Sequence, residues 1–232
     1  MMLIKPNCRD HLSAQDIAFI VATLGGKLCH DALQDLLIDP DTRDLILDDD
    51  DLRAAIQDSA VVTGISPHLY FYILIRHTLR SGGIDDRTLA DYIAEMLTEY
   101  SNTDSIKSRL PESARSDYVV DLMAALQSAD RSTAFQIRAH VGNHTLFMTG
   151  IFPANIIHRT ERRGAPDLDY YERMGAANYR MASGDPLAQK YDVADVLESL
   201  ADRFHETRLA LNDVAERYLS IDDAKIGSLL QN

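Results

Sequence analysis

Chemistry in this 232-residue chain could sit where polar side chains stand at positions the apolar period assigns to the interior. Arg208 is the clearest. It follows Phe204 by four and precedes Leu211 by three, so it lies on the apolar face of a helix. A guanidinium does not shed its proton, so a buried one requires carboxylate or carbonyl partners. Either Arg208 closes an ion pair at the edge of the core, or it holds an anion in a pocket. Arg76 and His77 end a segment that is apolar almost all round. Cations there complement the negative end of a helix dipole, which accounts for one of them. Both together could line the mouth of a cavity.

His140 and His144 are four apart on a predicted helix, with Asn143 beside them, so the two imidazoles share a face and could meet one metal ion. The residue after His140 is Val141, however, where the zinc-peptidase pattern H-E-x-x-H carries its general-base Glu. A third ligand would have to come from elsewhere, and no spacing pins it. His30-Asp31 is the adjacent pair used by HD-type metal phosphohydrolases, with His11 and many aspartates available to complete the set. Such a dipeptide is cheap in so acidic a chain.

Arg159, Arg162 and Arg163, with Arg173 and Arg180 on the following helix, form the one basic locality, diluted by Glu161, Asp167, Asp169 and Glu172. It reads as a solvated salt-bridge network or as a site for an anion or an acidic partner. Tyr170-Tyr171, Gly175 and Tyr179 point to close helix packing. Gly175 stands mid-helix, where it costs about 1 kcal/mol against Ala, so a backbone or an aromatic ring is expected against that bare spot. Other chemistries lack their signatures. Thr23-Leu-Gly-Gly-Lys27 does not have P-loop spacing, no G-x-S-x-G elbow occurs, and neither cysteine has a nucleophile context. Asp202-x-x-His205 is the nearest approach to a di-iron E-x-x-H pattern.

Helical period positions nearly all of these residues. Ser13 is placed as N-cap of a helix carrying Ile17, Ile20, Val21 and Leu24, stopped by Gly25-Gly26. A second helix is expected over Leu28 to Leu37, after which Pro40 breaks the chain. The acidic run Asp48 to Asp51 reads as a turn capping a short helix from Leu52 to Ala60, and it lacks the alternation and glycine of a calcium loop. Ser66-Pro67 opens the apolar helix to Arg80, and Asp85-Asp86 opens the next, whose stripe is Leu89, Tyr92, Ile93, Met96, Leu97 and Tyr100. Residues 101–113, with Pro111, form the best internal linker. Helices are then expected at 117–126, 133–149, from Pro153 to about Arg163, and at 168–182. One long stripe runs from Val193 to Tyr218, and the tail from Ser220 is short and peripheral.

No strand pattern or internal repeat interrupts this. The expectation is an all-α fold, an irregular bundle of roughly nine or ten helices, built as a single domain over 1–232 with a subdivision possible near 101–113. Hydrophobic residues at 46% and charged residues at 25% are ordinary for a globular protein. Lys and Arg number 23 against 36 Asp and Glu, a net charge of −13 that repels nucleic acid and anionic lipid. The N-terminus does not read as a signal peptide, and no stretch approaches the about 20 apolar residues a membrane helix requires. Two cysteines make no disulfide framework, which fits the cytoplasm.

Several segments resemble an uncharacterised family of bacterial helical proteins. The carrying residues are Phe71-Tyr72 with Arg76-His77, Leu89-Ala90-Asp91-Tyr92, and Val141-Gly142-Asn143-His144 running into Leu146-Phe147-Met148-Thr149-Gly150-Ile151-Phe152-Pro153. They continue through Arg159, Asp167-Leu168-Asp169-Tyr170-Tyr171-Glu172 with Gly175, and Arg208 with Leu211-Asn212. The likeness spans roughly Pro67 to Leu219. The family pattern commonly has an aromatic where this chain has His144, which counts against a metal there. The resemblance implies a helical fold and a bacterial cytoplasmic setting, and it lends no mechanism.

Two functional expectations follow. One is a non-catalytic helical protein that binds a partner or a small anionic ligand, with Arg76, His77, Asn143, Arg159 and Arg208 converging on one cavity. The other is a metal-dependent hydrolase or acid–base enzyme using His140, His144 or His77 with a carboxylate such as Asp121, or the His30-Asp31 pair. The sequence specifies no cofactor. A homodimer suits so apolar a helical chain, although no residue pattern establishes one.

Overall fold

A computed structural model describes residues 3–25, 36–57, 64–101 and 119–218. The expected helix over 28–37 falls almost wholly outside the described residues, as do His30-Asp31, Cys29, the linker 102–113 and the tail from Ser220. Every regular element among the described residues is helical, and none of these helices is long and apolar enough to cross a membrane.

A 3₁₀ turn at Cys8–His11 leads into α1 (Ala14–Leu24), then α2 (Pro40–Leu47), α3 (Asp50–Gln57), α4 (Pro67–Ser81) and α5 (Arg87–Ser101). The second half holds α6 (Val119–Ala125), α7 (Arg131–Ile151), α8 (Pro153–Arg163), α9 (Leu168–Ser183), α10 (Pro186–Lys190), α11 (Ala194–Asp202) and α12 (Phe204–Tyr218). That makes twelve α-helices among the described residues, more than the nine or ten expected, for a local reason in each case. Asp39 caps α2 and Pro40 occupies its first turn, so the proline starts a helix rather than only breaking the chain. Asp185-Pro186 does the same for the five-residue α10. The long stripe from Val193 is interrupted at Arg203 (φ −116°, ψ 29°), splitting one expected helix into α11 and α12.

The other starts follow the capping residues. Ser13 and Asp16 form a reciprocal capping box on α1, Ser66 accepts from the Leu69 amide at 3.2 Å, and Asp86 accepts from the Leu89 amide at 2.9 Å. Asp130 and Asp167 cap α7 and α9 in the same way.

α4 and α5 pack as an antiparallel pair, and both are buried through most of their length. α7 lies against α9 and α12, and α9 against α11. One apolar cluster runs from Cys8 to Ala215, joining the two halves. A smaller one (Val119, Leu122, Ile137, Val141) seats α6 on α7.

Glycines set how closely α7 and α9 pack with their neighbours. A Cβ on Gly142 would stand 2.6 Å from ring carbons of Tyr179, and one on Gly150 would stand 2.6 Å from Leu211. The bare spot at Gly175 is filled by the ring of Phe204 together with the Thr145 hydroxyl, so an aromatic ring does occupy it.

Candidate anion-binding groove

The groove is built where α2 ends and α3 begins, over one face of α4. Asp48 is the C-cap of α2, and the chain turns through Asp49 into α3. From α4 come Ile73, Arg76, His77 and Arg80, at i, i+3, i+4 and i+7, hence on one face. α3 contributes Arg53. With Leu47, Asp48, Asp49 and Asp50 they line a shallow, open groove on the surface.

Arg76 is its fixed element. Only 3% exposed, it donates from Nε to Asp48 Oδ1 at 2.8 Å, and from Nη2 to Asp48 Oδ2 at 3.0 Å and Asp85 at 2.5 Å. Its third nitrogen, Nη1, is buried with no hydrogen-bond partner. Arg87 adds a 2.8 Å bond to Asp48. Burial pushes the Asp48 carboxyl up, but the bonds and charges of Arg76 and Arg87 outweigh it and hold the group below the usual carboxylate range.

Two further guanidiniums are loosely held. Arg53 reaches Asp50 at 3.4 Å and Gln57 at 3.4 Å, and Arg80 stands 3.8 Å from Asp48. His77 lies between them, half-buried, with Ser81 Oγ at 3.5 Å. Burial lowers its pKa; Arg53, Arg80 and Arg217 lower it further, and only Asp50 opposes. His77 is therefore neutral near pH 7, and the charges around it are predominantly positive.

The expected convergence of five residues on one cavity is not what the fold builds. It brings together Arg76 and His77 and carries the other three elsewhere. Asn143 is in the core between α5, α7 and α9, its Oδ1 accepting from Tyr92 at 3.0 Å and Tyr179 at 2.7 Å. Arg159 lies half-buried on α8 and makes no ion pair among the described residues. Arg208 pairs with Glu172 of α9 and donates to Asn212 at 2.6 Å, while Asn212 donates to the Thr149 and Gly150 carbonyls at 3.1 and 2.5 Å. This is the structural ion pair that was one of its two readings. His205 joins it, 3.0 Å from Glu172.

His140 and His144 do share a face, their ring centroids 6.1 Å apart, in an aromatic row with Tyr100 and Phe147. Desolvation, helped by His144, pushes the His140 pKa down to about 3. Among the described residues no group of three or more His, Cys, Asp or Glu is placed to hold a metal ion, and Asp121 is exposed on α6. In the basic locality Arg180 pairs with Asp202, whereas Arg162 and Arg173 are exposed without ion pairs among the described residues; the side chain of Arg163 lies outside them.

Sequence reading missed a buried polar cluster that fastens the N-terminal turn. Arg9 meets Asp44 at 2.5 Å and Asp91 at 3.4 Å, and its backbone N–H donates to Asp91 at 2.9 Å. Asp16, fully buried, accepts from the amides of Ser13 and Ser66, both at 2.7 Å. His68 lies 3.3 Å from Glu95, and the Cys8 thiol donates to the His68 carbonyl at 3.3 Å. Asp91 and Glu95 stand two and six residues after Leu89 in the stripe of α5, next to Tyr92 and Met96. A carboxylate flanking a fully apolar stripe was the available signal.

Fold and groove together define an all-α protein with a guanidinium-lined surface groove. Comparison of the chain with protein-family models, with curated proteins and with solved structures found no match.

Proposed function

We propose that this is a non-catalytic helical protein that binds a small anionic ligand in the groove between α3 and α4. Arg53, Arg76, His77 and Arg80 make the contacts. The supporting observation is the state of Arg76: two of its nitrogens are locked by Asp48 and Asp85, and the third is buried without a partner beside two loosely held arginines. A buried donor left unpaired costs about 1–3 kcal/mol, which a ligand oxygen would recover. Of the carboxylates in the groove, Asp48 is engaged by Arg76 and Arg87, and Asp49 accepts from the Asp51 amide at 2.8 Å, while Asp50 is exposed.

Within this reading the protein works in the cytoplasm, where the buried thiol of Cys8 stays reduced, and the likeness to bacterial helical proteins belongs to the same proposal. Heteronuclear NMR titration with phosphate, sulfate and acetate tests it. Saturable shifts confined to Arg53, His77 and Arg80 are expected from at least one anion. If no anion perturbs His77 saturably, the groove is not a binding site.

A further inference from the structure

We draw no further inference here: the strongest candidate, the polar side-chain cluster beneath the N-terminal turn Cys8–His11, carries nothing because its charges are matched within the chain, Arg9 by Asp44 and Asp91 and His68 by Glu95, and it belongs to the packing that fastens the turn to α2 and α5.

Discussion

The ring of Tyr179 occupies the space where Gly142 lacks a side chain, with two ring carbons 2.6 Å from the position a Cβ would take. The same tyrosine donates its hydroxyl to Asn143, one residue on, so α7 and α9 are held by a contact and a hydrogen bond from a single side chain. Tyr179 is fully buried, and its hydroxyl shares the Asn143 oxygen with Tyr92. It cannot yield without breaking that bond.

Gly142→Ala is therefore expected to destabilise the protein by about 1–3 kcal/mol, the usual cost of overpacking a filled core, despite adding only a methyl group to a helix that would otherwise prefer it. Urea denaturation measures this. A variant as stable as the parent would mean that α7 and α9 separate freely at this point.

Arg208 and Glu172 are 11% and 16% exposed, a pair partly shielded from water between α12 and α9. Arg208→Met leaves Glu172 with His205 alone and frees Asn212 from one bond. The expected loss is about 1–3 kcal/mol, below the full cost of breaking a deeply buried pair because both groups keep some solvent. Pairing it with Glu172→Met should restore most of the loss. A single variant as stable as the parent would show that the pair contributes nothing.

Asp91 supplies a pH test. Burial raises its pKa from 3.8 to about 6, although Arg9 opposes the shift. The folded state thus holds this proton more tightly than the unfolded chain. The corresponding stability is complete below the unfolded pKa and is lost as pH rises through about 6, by about 3 kcal/mol at most. Asn at this position keeps an acceptor for the Arg9 amide and cannot ionise. Relative to the parent, Asp91→Asn should gain stability as the pH of denaturation is raised from about 4 to about 7. A difference that stays constant with pH would show that Asp91 titrates normally.

The elements were largely legible in the sequence, since their starts depend on residues three or four positions away. Ser13, Ser66 and Asp86 cap the helices their spacing marks. The apolar face of α4 likewise pointed to a buried helix. Short helices were harder to see, because α2 and α10 carry too few turns for a period to show. The site was legible only in part. Arg76 and His77 share the groove, while Arg53, whose neighbours in sequence are acidic, gave no sign that it would face them.

Helix content, most helix starts and the place of Arg208 on an apolar helix face follow from this sequence alone, because backbone hydrogen bonding and side-chain period act within a few residues. Partnership is another matter. Arg9 finds Asp91 across 82 residues and Tyr92 finds Asn143 across 51, and nothing in the spacing distinguishes these from the many other acidic and polar residues of the chain. Helix packing, set by close contacts at Gly142, Gly150 and Gly175, decided which charges were neutralised in pairs and which were left facing a groove.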